Sequence, residues 1–264
     1  MIAATRSELV RLLRPRLLTG WFGLVALFAV LINTVMFSMA GSDGPAAGPG
    51  VTFPDAATLQ SSDGLVAGLS AAASMFGVVT LSLWALVTAT DYSSGLIRLL
   101  VAAQPHRWKL LLGKLAALVA GTAVATTVAL MVNVGVAPLA ADAAGIDSTL
   151  WRADLTAKLL GEAWGNAFAA ALVWGVIGLV LALLLRSSAL AISIGVGWVL
   201  VIESVVVAAS DGNVPWLPGT ALSALASGGD DVLDYAQAAT VALAYSAVGL
   251  ALAFVVGWRR DITD

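Results

Sequence analysis

The chain has 264 residues, of which 60% are hydrophobic and only 11% are charged. Because a soluble domain carries about 25% charged residues, this composition excludes an ordinary soluble fold and indicates a protein surrounded by lipid. The lack of cysteine and the single histidine exclude disulfide bonds, cysteine-ligated metals and histidine-cluster metal sites. We therefore predict an all-α, polytopic membrane protein without a metal site.

Residues 1–16 predict a separate N-terminal element. Apolar residues mix with arginines there, as in an amphipathic helix that lies on a membrane surface. Pro15 separates this element from the first long apolar stretch. A disordered basic leader is the alternative interpretation. A cleaved signal peptide is disfavoured, because the apolar stretch 17–39 is longer than the about 7–15 residues of a signal-peptide core.

Six apolar stretches reach the about 20 residues that a helix needs to cross a membrane. They are residues 17–39, 65–90, 110–137, 162–185, 189–209 and 236–258. We expect Pro138 to end the third stretch, and Arg186 to Ser188 to form a tight turn after the fourth. Residues 17–264 thus predict one transmembrane domain, in which segment 211–234 holds a short, re-entrant-like helix before the sixth span.

The charged residues divide between the two ends of this predicted bundle. All 13 basic residues except Arg152 and Lys158 fall at one end, named here the basic end. The opposite, acidic end carries the aspartates of the loops, which are Asp43, Asp55, Asp63, Asp142, Asp147, Asp154, Asp211, Asp230, Asp231 and Asp234. By the positive-inside rule the basic end is cytoplasmic, and six spans place both termini there. The excess of arginine over lysine, with much alanine, valine and glycine, is typical of a GC-rich bacterial genome, so we expect a bacterial cell membrane.

Segment 91–109 joins the second and third spans at the basic end and carries the most informative pattern. Residues 95–103 are apolar with a single Arg98, which predicts a short helix along the membrane interface. Pro105 would end that helix, and His106 is interpreted as an exposed polar residue rather than a pH sensor. Such a short helix is joined to two spans, so a partner that moves it can tilt both of them. The alternative is a basic loop that only anchors a helical hairpin.

In this segment the sequence resembles the ABC-2 family of ATP-binding-cassette transporter permeases. The family typically shows an acidic residue, a glycine four positions on and a basic residue, then a proline, an arginine and a lysine that enters the third helix. The matching residues are Asp91, Gly95, Arg98, Pro105, Arg107 and Lys114. Asp91 stands where glutamate is more usual, and Leu96 stands where threonine is often found.

The resemblance implies a permease subunit of an ATP-driven exporter, which moves a small amphipathic, drug-like or lipid-like substrate outward. In the family this segment is the coupling helix that docks on the ATPase subunit. The candidate coupling residues are Asp91, Gly95, Arg98, Pro105, His106 and Arg107. Expected partners are two ATPase subunits, a second copy of this or a similar permease, and membrane lipid, but no nucleic acid.

No G-x-x-x-x-G-K phosphate loop occurs in the chain. We therefore expect ATP and Mg²⁺ to bind the partner ATPase, and we expect no cofactor and no enzymatic activity in this chain. A transporter driven by an ion gradient is the alternative function. Such transporters usually show internal repeats and charged groups near the membrane midplane, and only Glu203 resembles such a group here. A membrane enzyme would need clustered acids or histidines, whereas the aspartates are scattered over loops.

Three polar residues within the predicted spans, Glu203, Asn33 and Asn133, are candidates for a translocation path. Glu203 either faces the bundle interior or an outward vestibule, where it would help to select what passes, or it reaches the outer surface or makes a single hydrogen bond between helices. For the asparagines, hydrogen bonding between helices is favoured over contact with a substrate. Gly161 and Gly165 have the spacing of small residues that allow close helix packing in the fourth span.

Overall fold

The computed structural model describes residues 2–40, 47–48, 51–52, 54–103, 107–153, 156–210 and 214–259. Within these ranges the chain is helical, apart from short connections and a two-residue antiparallel pairing of β1 (Ala47–Gly48) with β2 (Val51–Thr52). Six helical stretches are long and apolar enough to cross a membrane. The predicted all-α, six-span fold is therefore confirmed.

The helices follow the chain in a simple order. The first half contains α1 (Ile2–Leu12), α2 (Pro15–Met39), α3 (Ala56–Gln60), α4 (Gly64–Ala71), α5 (Ala73–Ser93), α6 (Leu96–Ala103) and α7 (Arg107–Ala143). The second half contains α8 (Thr149–Ala153), α9 (Ala157–Leu185), α10 (Ser188–Gly197), a π-helical turn (Trp198–Ile202), α11 (Glu203–Ala209), α12 (Pro218–Ser227) and α13 (Tyr235–Arg259). The candidate spans are α2, α5, α7, α9, the continuous helix from α10 to α11, and α13.

Local sequence explains where several spans begin and end. Pro15 occupies the first turn of α2, where a missing N–H costs no helical hydrogen bond. The Thr156 hydroxyl caps α9 by accepting from the Leu159 N–H at 3.2 Å. At the other end of α9, Arg186 turns the chain with a positive φ of 51°, and Ser187 then caps α10. The structure thus contains the tight turn predicted between the fourth and fifth spans.

Pro138 does not end the third span, so that prediction is wrong. Helix α7 begins at Arg107, includes Pro138 and ends at Ala143, which makes it 37 residues long. A proline inside a helix removes one hydrogen bond and its ring crowds the carbonyl of residue i−4, but membrane helices tolerate it where neighbouring groups satisfy the freed backbone. At about 1.5 Å per residue α7 is about 55 Å long, which exceeds the about 30 Å of bilayer hydrocarbon. Its ends therefore extend beyond the lipid core.

Helices α5 and α9 form the centre of the bundle. Within the span windows 72% of α5 and 56% of α9 are buried, against 11% of α13. Gly175 and Gly178 of α9 allow this contact, because a Cβ on Gly175 would lie 2.6 Å from the Trp84 ring. A Cβ on Gly178 would lie 2.9 Å from the backbone carbonyl carbon of Leu81, and closer still to its oxygen.

Gly161 and Gly165, for which close packing was predicted, have a different environment. A Cβ on Gly161 or Gly165 would meet nothing within 4 Å in the part of the chain that is described. The close packing predicted at Gly161 and Gly165 is therefore wrong for the described residues, and the close contacts of α9 with α5 lie instead at Gly175 and Gly178. Spacing alone does not tell which face of a helix meets a neighbour.

Helix α12 lies in the segment before the sixth span. It packs against α9, α13, α4 and α5, and its buried residues are Pro218, Ala221, Leu222, Ala224, Leu225 and Ala226. The hydroxyls of Ser223 in α12 and Ser74 in α5 lie 2.9 Å apart and share a hydrogen bond. Helix α12 is therefore part of the packed bundle at its acidic end.

Candidate functional site

Four charged side chains meet at the basic end of the bundle and are named here the four-charge cluster. Glu8 and Arg11 come from α1, Asp91 from the end of α5, and Lys114 from α7. Arg11 Nη1 lies 2.8 Å from Glu8 Oε1, and Lys114 Nζ lies 3.0 Å from Glu8 Oε2 and 2.7 Å from Asp91 Oδ2. Arg11 Nη2 also donates a hydrogen bond to Asp91 Oδ1. Each charge therefore has two partners of the opposite sign.

Burial makes this pairing necessary. The exposed fraction of the side chain is 1% for Asp91, 7% for Glu8, 10% for Lys114 and 21% for Arg11. Burying a charge costs several kcal/mol unless partners and hydrogen bonds compensate. Burial lowers the pKa of Arg11, but the hydrogen bond and charge of Asp91, together with those of Glu8, raise it above its ordinary value overall. The cluster pairs two acidic with two basic side chains, so their formal charges sum to zero.

The spacing of the N-terminal sequence brings α1 into the cluster. Glu8 and Arg11 are three positions apart, so they lie on one face of a helix. Leu12 is buried beside them and belongs to the main core, while Val10 and Leu13 remain exposed. Helix α1 thus packs against α7 through one face. Residues 2–12 form a helix, so the alternative interpretation, a disordered basic leader, is wrong for them.

The structure brings together only part of the predicted coupling segment. Asp91 is in the four-charge cluster, and Gly95 ends the connection from α5 with a φ of +69°, a conformation that favours glycine. Arg98 lies on α6 outside the cluster and is exposed. Pro105 and His106 lie outside the described residues.

Position 107 is described through its backbone alone, as the first residue of α7. Helix α6 itself occupies the stretch where a short interfacial helix was predicted. On it Leu99 is 68% exposed, a large value for a leucine next to well-packed helices. The basic end of the bundle therefore presents an apolar side chain and an arginine on a short helix between two spans.

Asn33 and Asn133 lie in the bundle interior, fully buried and bonded to each other. Asn33 Nδ2 donates to Asn133 Oδ1 at 2.8 Å, and Asn133 Nδ2 donates to the Leu65 carbonyl at 2.8 Å. A Cβ on Gly68 would lie 2.6 Å from Asn133 Oδ1, so this glycine allows the approach of α4. The pair therefore joins α2, α4 and α7, which is the role of polar residues between membrane helices.

Glu203 lies in the fifth span towards the acidic end and is 4% exposed. Its Oε1 accepts a hydrogen bond from the Thr220 N–H at 3.1 Å. Thr220 is in the first turn of α12, where N–H groups lack helical partners and attract negative charge. A Cβ on Gly219 would lie 2.6 Å from Glu203 Oε1, so glycine is needed for this approach. Glu203 thus caps α12 from a different helix, which is the hydrogen-bonding alternative of the sequence interpretation.

Truncation of Glu203 is expected to loosen α12. Glu203→Ala removes the acceptor and should lower the free energy of unfolding by about 2 kcal/mol, the upper range for loss of a helix cap. Glu203→Gln keeps an oxygen acceptor at the same place and should cost about 1 kcal/mol or less. Chemical denaturation in detergent micelles measures both values. Equal losses for the two variants would show that the negative charge, rather than the hydrogen bond, holds α12.

Sequence reasoning missed the contribution of α1 to the site. Lys114 was recognised as part of the family pattern, but Glu8 and Arg11 were read only as members of an amphipathic helix. A usable signal existed, because Glu8 and Asp91 are acids at an end that is otherwise rich in arginine and lysine. An acid among cations at a membrane interface indicates a specific ion pair.

The site consists of four paired charges beside the short helix α6. Among the described residues no group of three or more histidines, aspartates or glutamates could hold a metal ion. The paired acids of the four-charge cluster are each engaged by two cations. No protein-family model matches this chain, and no curated protein matches it.

Proposed function

We propose that the chain is the membrane-spanning permease subunit of an ATP-driven ABC exporter, which moves a small amphipathic, drug-like or lipid-like substrate outward. The observation that carries this proposal is the arrangement around α6. This short helix has an exposed Arg98 and an exposed Leu99. It lies between two spans whose ends the four-charge cluster joins to α1.

The arrangement supports a coupling role through rigidity. If α6 were attached to the bundle at only one end, a force on it would bend the connecting residues and would not move the spans. Here Asp91, which precedes α6, and Lys114, which follows it, are ion-paired at 2.7 Å. A force on α6 is therefore passed to α5 and α7 together, and α5 is the most buried of the spans. Coupled spans of this kind are needed if a subunit outside the membrane is to reshape the bundle.

The proposal includes the partners and the orientation. Two copies of an ATPase subunit, which bind ATP and Mg²⁺, would dock on α6, and a second copy of this or a similar permease would complete the membrane part. The excess of basic residues around α6 supports a cytoplasmic location for this end and for both termini in a bacterial cell membrane. Membrane lipid surrounds the spans. The chain itself has no enzymatic role in this assembly.

Co-purification tests the proposal. The tagged chain is expressed together with the products of its neighbouring genes, extracted with mild detergent and assayed for a bound ATPase. We expect an ATPase subunit in a one-to-one ratio with the chain. Arg98→Glu should reduce the bound ATPase at least tenfold, because charge reversal on α6 opposes docking. The matched control is Lys158→Glu, a reversal of an exposed charge, 81% exposed, at the acidic end.

The control variant should retain the ATPase at the level of the unmodified chain. A chain that purifies without any ATPase would contradict the proposal and favour the gradient-driven alternative. A bound ATPase that is lost equally from both variants would contradict the role of α6, because Lys158 lies at the far end of the bundle.

A further inference from the structure

Helix α1 has a second face, opposite the one that enters the four-charge cluster. Glu8 and Leu12 are buried on the inward side, whereas Val10 and Leu13 on the other side are 63% and 61% exposed. Arg6 lies four positions before Val10, on the same side of the helix, and is exposed as well. Docking of α1 on α7 therefore leaves an apolar and basic surface that the described residues do not cover.

Two further arginines extend this surface. The Leu13 N–H donates to the Leu9 carbonyl at 2.9 Å, so the helical hydrogen bonding of α1 continues to this residue. Arg14 and Arg16 follow at the junction with α2, and both side chains are exposed. The surface is named here the outer face of α1, and it consists of Arg6, Val10, Leu13, Arg14 and Arg16.

The three arginines of the outer face lack acidic partners. Glu8 is the only acid before Asp43, and Arg11 and Lys114 bind its two carboxylate oxygens. Within the described residues, no arginine of the outer face forms an ion pair. The basic end as a whole carries 11 of the 13 basic residues, against four acids, which are Glu8, Asp91, Asp261 and Asp264. The surrounding charges therefore leave the outer face positive.

The position of the four-charge cluster along α7 places α1 near the lipid headgroups. Lys114 lies seven residues after Arg107, the first residue of α7, which is about 10 Å along the helix axis. Helix α7 exceeds the hydrocarbon layer by about 25 Å, so an even overhang leaves about 12 Å outside the hydrocarbon at each end. Helix α1 contacts Lys114 through Glu8 and is therefore at the depth of the headgroups.

We propose that the outer face of α1 binds anionic phospholipids of the membrane surface. Their phosphate groups lie beside the three arginines, and the upper parts of their acyl chains lie against Val10 and Leu13. Basic residues near the surface attract anionic lipid, and exposed apolar side chains enter the boundary between headgroups and acyl chains. A zwitterionic lipid has no net charge for the arginines to attract. The proposal goes beyond transport, because lipid binding needs no ATPase.

The experiment measures which lipid collects beside α1. Because the chain has no cysteine, Ser7→Cys provides a single position for a fluorophore, exposed and next to Arg6. The labelled chain is placed in phosphatidylcholine nanodiscs that contain an equal small fraction of doxyl-labelled phosphatidylglycerol or doxyl-labelled phosphatidylcholine, with the quencher near the headgroup. We expect quenching to show at least about fivefold enrichment of phosphatidylglycerol at the label, and high salt to reduce this enrichment.

Two charge-removing variants separate the outer face from the charge of the whole protein. Arg6→Gln combined with Arg14→Gln should lower the enrichment to less than about twofold, because two of the three cations beside the label are lost. The matched control, Arg152→Gln combined with Lys158→Gln, removes the same charge at the acidic end. The control should keep the enrichment of the parent.

Three outcomes would overturn the proposal. Equal quenching by the two lipids would show that α1 does not select charge, and unchanged enrichment in the variant of Arg6 and Arg14 would show that other residues do. Weak quenching by both lipids would show that the outer face is turned away from the bilayer, and a change in the emission of the label on adding an ATPase subunit would then assign that face to a protein. Gel filtration checks that each variant is folded, and the single variants Arg6→Gln and Arg14→Gln replace a double variant that is not.

Discussion

Asp91→Asn is expected to lower the free energy of unfolding by about 3 kcal/mol, the lower range for removing one partner of a buried ion pair. The substitution leaves Arg11 and Lys114 in a largely buried site with Glu8 as their one acid. Asparagine is close to aspartate in size, so the loss reports charge rather than packing. Denaturant titration of the chain in detergent micelles measures the change.

The control for this prediction is Glu162→Gln at the acidic end. Glu162 is 62% exposed and lies 3.8 Å from Lys158, so its ion pair should contribute less than about 0.5 kcal/mol. The double variant Asp91→Asn with Lys114→Gln restores neutrality and should be more stable than the sum of the single losses predicts, by more than about 1 kcal/mol. Additive losses would mean that the two groups do not interact, which would contradict the four-charge cluster.

Gly178→Ala is expected to destabilise the bundle by about 3 kcal/mol, at the upper range for overpacking. The added methyl would lie 2.9 Å from the carbonyl carbon of Leu81, and a backbone atom in the middle of α5 cannot move aside as a side chain can. The two central helices would have to separate or tilt. The same denaturant titration measures the loss.

Gly165→Ala is the matched control on the same helix. A Cβ there meets nothing within 4 Å in the described residues, so the variant should be neutral or more stable by up to about 1 kcal/mol, since alanine favours helix over glycine. A loss for Gly165→Ala equal to that of Gly178→Ala would show that helix α9 contacts another partner through its first turns. It would also remove the distinction between the two glycines.

The spans could be predicted because hydropathy and length are local properties. The observed helix α9 and the helix from Ser188 to Ala209 begin or end within a few residues of the predicted stretches. Pro138 was misjudged because proline usually breaks a helix interior, whereas membrane helices tolerate proline where neighbouring groups satisfy the freed backbone. Asn33 and Asn133 were recognised as polar residues in spans, but not as partners of each other.

The site could be predicted only in part, because its members come from distant segments. Arg11 and Asp91 are 80 residues apart, and Glu8 and Lys114 are 106 residues apart. No periodicity within one helix reveals such a pairing. Likewise Glu203 was recognised as an unusual acid, but its use as a cap for α12 depends on a contact between two helices that only the fold brings together.

These long separations in sequence determine when α1 can dock on the other helices during synthesis. Helix α1 is made before the third span, so its Glu8 has to wait for Lys114, which is made 106 residues later. Until the third span has entered the membrane, the charges of α1 must stay hydrated at the surface, because an unpaired charge is expensive in lipid. Docking of α1 is therefore a late step of biogenesis, and it reports that the first three spans have been inserted in their correct order.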